Sequence, residues 1–160
     1  MSSFIASSAR TTTTALFTYF SRSIILNNNS LTTLSMNGVS TLPGNLYIED
    51  NESLTSFSLD NLTSTGGNLS IDNNNVLEGF SLNALTEVWG DFVLSNNDVL
   101  TEFEFDTLSL VSGNVEVLSN LALCSDFVDT FFDEVRARGS MGSRDNDDNR
   151  GCMPDYDCPD

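Results

Sequence analysis

The stretch GNLSIDNNNVL, residues Gly67–Leu77, is rich in asparagine and also carries the apolar residues Leu69, Ile71 and Leu77. The same arrangement occurs 23 positions earlier as GNLYIEDNESL, at 44–54, and 23 positions later as GDFVLSNNDVL, at 90–100. The stretch is therefore one unit of an internal repeat, and a repeat of this length is typical of a solenoid.

Three positions of the unit recur most regularly. They are a glycine (Gly44, Gly67, Gly90, Gly113), an asparagine (Asn28, Asn51, Asn74, Asn97, Asn120) and a leucine (Leu31, Leu54, Leu77, Leu100, Leu123). Within each unit apolar residues alternate with polar ones in two short bursts, which predicts two strands separated by a turn. One unit cannot bury its apolar side alone, so stacked units are expected to form a mainly β fold, a β-solenoid built from 23-residue repeats.

The recurring asparagines and glycines predict specific corner geometry. A buried asparagine carries a donor and an acceptor, so we expect Asn28, Asn51, Asn74, Asn97 and Asn120 to form an internal ladder, while Asn73 and Asn75 face solvent. The alternative is that the asparagines only favour turns and left-handed backbone. The glycines precede the first strand, where a corner requires either positive φ or close backbone approach.

The apolar period changes after Asn120. Phe127, Val128, Phe131, Phe132 and Val135 fall on one helical face, with Ser125 as N-cap and Gly139 after the C-terminus. Because an open solenoid end exposes its core, we expect residues 125–139 to form a C-terminal capping α-helix.

These patterns divide the chain into a repeat solenoid at 21–124, the capping helix at 125–139 and an acidic tail at 140–160. Residues 1–20 are expected to be a degenerate N-terminal turn or a disordered leader. Their Ser/Thr/Arg-rich composition also fits a transit peptide, but no convincing signal peptide is present. The acidic ending raises the possibility of a fragment of a longer protein.

The unit GNLxIxxNxxLxxFxLxxL, followed by NLALC and an amphipathic helix, resembles receptor L-domain-like and leucine-rich-repeat-like solenoids. The resemblance covers about Ser21 to Gly139. It implies a right-handed solenoid, an extracellular or cell-surface location and no catalysis. No ligand-contacting residues are carried over, because the shared positions belong to the core.

Outward positions of the first strand of each unit are the predicted binding surface for a protein or glycan ligand. They are Asn45, Tyr47, Asn68, Ser70, Asp91, Val93, Asn114 and Glu116. Glu104 is expected to point outward from the second strand, in register with Ser35, Ser58 and Ser81.

Charge and motifs exclude other classes. The net charge is −17 and the chain contains no lysine and no histidine, so it repels phosphate backbones and nucleic acid is not an expected partner. No stretch is long and apolar enough for a transmembrane segment. No catalytic motif is present, so an enzyme is not expected.

The three cysteines are compatible with an oxidising compartment. A Cys124–Cys152 disulfide that clips the tail to the helix is the first expectation, and Cys152–Cys158 is the alternative.

The tail also contains oxygen ligands at alternating positions, which makes Asp145, Asp147, Asn149, Asp155 and Asp157 weak calcium candidates. No other cofactor is expected, and a solvated acidic linker is the preferred interpretation of this segment. The sequence as a whole predicts a non-enzymatic recognition or scaffold module. The alternatives are a structural cell-wall or matrix protein and a calcium-dependent adhesion fragment.

Overall fold

The computed structural model describes residues 3–6, 13–14, 22–36 and 38–146. Its first five strands are β1 (Ser3–Ala6), β2 (Thr13–Thr14), β3 (Arg22–Leu26), β4 (Thr33–Ser35) and β5 (Thr41–Leu42). The next three are β6 (Asn45–Glu49), β7 (Ser56–Ser58) and β8 (Ser64–Thr65), followed by β9 (Leu69–Asp72), β10 (Gly79–Ser81) and β11 (Glu87–Val88). The chain continues with β12 (Phe92–Ser95), β13 (Glu102–Glu104), β14 (Leu110–Val111) and β15 (Val115–Leu118), then α1 (Ser125–Glu134), β16 (Arg136–Ala137) and β17 (Met141–Arg144).

The strands form three parallel sheets that wrap around one core. The first sheet has the order β1-β3-β6-β9-β12-β15-β17, the second β13-β10-β7-β4-β2 and the third β16-β14-β11-β8-β5. Each regular turn of the chain contributes one short strand to every sheet, so about five turns stack as a β-solenoid. The predicted mainly β solenoid is therefore confirmed.

Equivalent apolar side chains stack in columns inside the solenoid. Leu31, Leu54, Leu77, Leu100 and Leu123 are all fully buried in one continuous core. A second column consists of aromatic rings: Phe57 and Phe80 stack with centroids 4.8 Å apart, and Phe80 and Phe103 with centroids 5.6 Å apart. Each turn thus covers the apolar side of its neighbour, which a single turn cannot do alone.

Helix α1 takes the place of a second-sheet strand in the last turn and lies over the end of the aromatic column. Phe127 and Phe131 contact the Phe103 ring edge-on, with centroid distances of 4.9 and 5.0 Å. Val128 and Phe131 are buried, which agrees with the predicted apolar face.

The helix is shorter than predicted. Cys124 rather than Ser125 is the N-cap, and Val135 ends the helix well before Gly139. The residues after Val135 form sheet hydrogen bonds instead of continuing the helix. The N–H groups of Arg136 and Arg138 donate to the carbonyls of Ser109 and Val111 at 3.2 and 2.9 Å.

The chain also rejoins the solenoid after the helix. Strand β17, within the predicted acidic tail at 140–160, pairs with β15 and ends the first sheet. Residues bonded across this turn, such as Asn114 and Ser140, are 26 positions apart, whereas Asp91 and Asn114 are 23 apart. The helix lengthens the last turn, so a search of the sequence at one fixed spacing cannot find the strand that closes this turn.

Within residues 1–20, the described strands β1 and β2 join the first and second sheets. The interpretation of residues 1–20 as a degenerate turn or a leader stays a prediction. Among the described residues, no helix has the length and apolar character needed to cross a membrane.

Candidate binding surface

A buried asparagine ladder runs along one corner of the solenoid, as predicted. Asn28, Asn51, Asn74, Asn97 and Asn120 are all fully buried. At each step, Oδ1 of one asparagine accepts two hydrogen bonds from the asparagine one turn earlier, one from its backbone N–H and one from its Nδ2 group. For example, Oδ1 of Asn97 accepts these two bonds from Asn74 at 3.1 and 3.3 Å. Asn146 extends the ladder, because its Oδ1 accepts the N–H of Asn120 at 3.1 Å. These side chains are saturated within the fold and offer nothing to a ligand.

The residue before each ladder asparagine has left-handed backbone. Positive φ values of 53–56° occur at Asn27, Asp50, Asn73, Asn96, Ser119 and Asp145. Asparagine and aspartate tolerate this conformation better than other residues with a Cβ. The runs of asparagine therefore serve two purposes at adjacent positions: one residue allows the bend, and the next satisfies the buried backbone. Asn73 and Asn75 are exposed, as predicted.

A second ladder occupies the corner where the first-sheet strands begin. Oδ1 of Asn45, Asn68 and Asp91 accepts the backbone N–H of the equivalent residue in the next turn, at 2.9, 3.0 and 2.8 Å. Oδ1 of Asn114 continues the series by accepting the N–H of Ser140 at 2.9 Å. These four residues were predicted to face a ligand, but they are half-buried and bonded along the solenoid axis. Their oxygen atoms belong to the scaffold.

The second ladder also explains the recurring glycines. Among the described residues no glycine has positive φ, so left-handed backbone is not the reason for them. A Cβ at Gly67, Gly90 or Gly113 would instead collide with the side-chain oxygen of Asn45, Asn68 or Asp91. Of the two explanations that the sequence leaves open, close approach is the one the structure supports.

The other predicted first-sheet contacts are only partly accessible. Tyr47 is half-buried and its hydroxyl accepts Nδ2 of Asn45 at 2.6 Å. Ser70 is 8% exposed and Val93 is half-buried, which leaves Glu116 as the exposed member of the predicted set. This face therefore offers few free polar groups to a ligand.

The outer face of the second sheet contains an open cleft of about 550 Å³. Two rows of outward side chains line it, Ser56, Gly79 and Glu102 in one and Ser58, Ser81 and Glu104 in the other. Gly79 contributes no side chain to the cleft, and the side chain of Glu102 lies beside it. The register of Glu104 with the serines is as the sequence predicts. The cleft itself was missed, because small outward residues in strands are usually only solvated.

The cleft is acidic. Within the part of the chain that the structure describes, its lining contains Glu78, Glu102 and Glu104 and no arginine. Oε2 of Glu104 accepts Nδ2 of Asn83 at 3.1 Å, which holds this carboxylate in place.

Asp60 contributes a further negative charge beside the cleft. Burial tends to raise the pKa of Asp60, but hydrogen bonds from Ser58, the Asn83 backbone and Ser81 lower this pKa below its ordinary value. The carboxylate therefore remains ionised at neutral pH.

The candidate calcium site falls almost entirely outside the described residues. Asp145 is exposed at the end of β17, whereas Asp147, Asn149, Asp155 and Asp157 are not described. Among the described residues, no group of three or more histidine, cysteine, aspartate or glutamate side chains is arranged to hold a metal ion.

Cys124 forms a disulfide. Cys152 and Cys158 lie outside the described residues, so the pairing of Cys124 with Cys152 stays a prediction.

Comparison with known proteins returns no relative: neither a family model, nor a curated protein, nor a solved structure matches the chain. The fold defines the protein as a β-solenoid. The resemblance to receptor L-domain-like solenoids stays a prediction.

Proposed function

We propose that this β-solenoid is a non-enzymatic recognition and scaffold module that binds a protein or glycan ligand through its outer surface. We further propose that it is a right-handed coil with 23 residues in each regular turn, related to leucine-rich-repeat-like receptor L domains. The register between the regular turns supports the repeat length.

The cleft on the second sheet is the observation that carries the recognition function. Its volume of about 550 Å³ is within the range of ~300–1,000 Å³ that is usual for ligand sites. The interior ladders satisfy the corners without using Ser56, Ser81, Glu102 or the carboxylate of Glu104. The fold therefore does not need these side chains to satisfy its corners, which leaves them available for recognition.

The non-enzymatic part of the proposal is supported by the sequence. The chain has no histidine, which removes the commonest general base. The ladder asparagines are buried and engaged with one another, so their amides are not placed to stabilise a reacting group.

An extracellular or cell-surface location is supported by the disulfide at Cys124. Disulfides persist in secreted and surface proteins and are rare in the reducing cytosol.

Protein and glycan arrays probed with the purified chain test this function. We expect saturable binding to a discrete set of ligands, and loss of that binding when the chain is unfolded in denaturant. Binding that does not saturate, or that survives unfolding, would contradict the proposal and favour a structural wall or matrix protein without a discrete ligand.

Calcium-dependent adhesion is an alternative function that the same samples can test. A ligand selective for the folded state raises its stability, so a thermal melt with and without calcium tests this alternative. A calcium-dependent rise in Tm, together with array binding only when calcium is present, would favour it over the cleft.

A further inference from the structure

We infer that the occupant of the second-sheet cleft is an extended peptide segment that carries arginine or lysine. This inference rests on the proposed recognition function and names the partner class. Three observations support it: the shape of the cleft, the charge of the cleft, and the lack of an exposed aromatic ring among its lining residues.

The shape of the cleft fits a short extended segment. Its lining runs from Thr33 on β4, through β7 and β10, to Glu104 on β13, which are four adjacent strands. With a strand separation of about 4.8 Å, the cleft is roughly 14 Å long, which is the length of about four extended residues. Gly79 adds no side chain of its own at the centre of the cleft, where the Glu102 side chain is its nearest neighbour.

The charge of the cleft selects a basic segment. Glu78, Glu102 and Glu104 line it, and none of the described arginines does. A guanidinium forms two parallel hydrogen bonds with a carboxylate, and an ammonium pairs with one as a point charge. The net charge of −17 adds a long-range attraction that speeds association with cations.

The hydroxyl of Ser56 adds to the complementarity. Ser56 is exposed on the cleft wall, whereas the hydroxyl of Ser81 already bonds the Asp60 carboxylate. A hydroxyl donates and accepts hydrogen bonds, so Ser56 suits the N–H and C=O groups of a peptide backbone.

A glycan fits the cleft less well. Sugar sites usually offer an exposed aromatic face, but the aromatic rings in the lining, Phe57 and Phe80, are only 4% and 5% exposed. Hydroxyl and carboxylate groups remain for a sugar, without the stacking surface.

Fluorescence anisotropy with a labelled hexapeptide of alternating arginine and serine tests the inference directly. The Glu102→Gln/Glu104→Gln variant removes two charges from the cleft, and we expect at least about tenfold weaker binding. The matched control, Glu87→Gln/Asp98→Asn, removes two charges from other parts of the surface and is expected to change the affinity less than about twofold. Equal weakening by both variants would show that only net charge matters and would overturn the inference.

A second variant blocks the cleft without changing charge. A Cβ at Gly79 meets its nearest neighbour, Cγ of Glu102, at 3.4 Å, and the φ of Gly79 is not positive. The nearest atom belongs to a flexible surface side chain, so Gly79→Thr is expected to push Glu102 aside and weaken peptide binding at least about tenfold; its Tm is measured to check that the fold is kept. Unchanged binding by Gly79→Thr would place the peptide elsewhere.

Further measurements distinguish an error in the partner class from an error in the proposed recognition function. Equal binding of an alternating glutamate and serine hexapeptide, or loss of binding in Glu116→Gln instead of the cleft variants, would overturn the inference. If the basic peptide fails but Gly79→Thr abolishes binding of an array ligand, the partner class is wrong and the recognition function stands. If no array ligand binds at all, the recognition function itself fails.

Discussion

Asn51 and Asn74 lie one turn apart and are joined by two hydrogen bonds, in which the backbone N–H and Nδ2 of Asn51 donate to Oδ1 of Asn74 at 3.2 and 3.0 Å. Nδ2 of Asn51 also donates to the carbonyl of Ile25, one turn in the other direction, at 3.0 Å. One fully buried side chain therefore connects three consecutive turns. The ladder is a continuous network, and each member depends on its neighbours for satisfied polar groups.

Replacing one ladder member should destabilise the whole solenoid. Asn74→Leu removes the Oδ1 that accepts the N–H of Asn51 and the Nδ2 that donates to the carbonyl of Ile48, whereas Nδ2 of Asn51 keeps the carbonyl of Ile25. Since each unsatisfied buried group costs about 1–3 kcal/mol, we expect the free energy of unfolding to fall by roughly 2–6 kcal/mol in chemical denaturation.

The neighbouring asparagine is the control for this measurement. Asn75 is exposed, so Asn75→Ala should change the free energy of unfolding by less than about 0.5 kcal/mol. Similar losses in both variants would mean that the ladder adds no more stability than an ordinary turn residue.

The glycine before the first-sheet strand should not tolerate a methyl group. A Cβ at Gly67 would collide with Oδ1 of Asn45, so Gly67→Ala is expected to lower the free energy of unfolding by about 1–3 kcal/mol. Gly142→Ala is the matched control, because a Cβ there meets no atom within 4 Å.

A double substitution identifies the cause of this loss. If the side chain of Asn45 is the obstacle, Asn45→Ala combined with Gly67→Ala should cost less than the sum of the two single changes, measured as a coupling energy. Strict additivity would point to the backbone instead of the Asn45 oxygen.

The sequence determines which residues stack but not what each corner does. The position of Asn74 in a fixed register is enough to predict its burial, because equivalent residues of a solenoid occupy equivalent sites. Strand alternation predicts that Asn68, next to the buried Leu69, points outward. In the structure, Oδ1 of Asn68 instead lies along the solenoid axis and accepts the N–H of Asp91. Alternation predicts the side of a strand on which a residue lies but not its rotamer, so the sequence alone could not predict the second ladder.

The length of the last turn shows a second limit of sequence reasoning. The helical pattern after Asn120 predicts α1, but nothing in that pattern shows where the chain returns to the sheet. Helix α1 adds residues to the turn, and Met141 then pairs with Val115 outside the fixed spacing. The cleft was also missed, because small outward residues such as Ser56 and Gly79 are usually only solvated.

Helix α1 should be energetically coupled to the aromatic column. Phe131 is 6% exposed and contacts the rings of Phe92, Phe103 and Phe105. Phe131→Ala removes these contacts and opens a cavity, so we expect the free energy of unfolding to fall by about 3–5 kcal/mol.

An exposed position of the same helix is the control. Thr130→Ala should change the free energy of unfolding by less than about 0.5 kcal/mol, since Thr130 is exposed and bonds only locally to the carbonyl of Asp126. A small effect of Phe131→Ala would mean that the helix lies on the solenoid end without sealing it.

The carboxyl group of Asp60 should titrate below its ordinary pKa of 3.8, because hydrogen bonds from Ser58, the Asn83 backbone and Ser81 outweigh the opposing effect of burial. A group whose folded-state pKa is lowered contributes stability above its unfolded pKa and loses it as the pH falls through the folded value. The stabilising effect of Asp60 is therefore present at neutral pH and disappears in acid. Carbon-detected NMR titration measures this pKa, and Ser58→Ala, which removes the hydroxyl that bonds Oδ2 of Asp60 at 2.5 Å, should raise it toward 3.8. A pKa at or above 3.8 in the unmodified chain, or no change in Ser58→Ala, would show that these bonds do not stabilise the charged form.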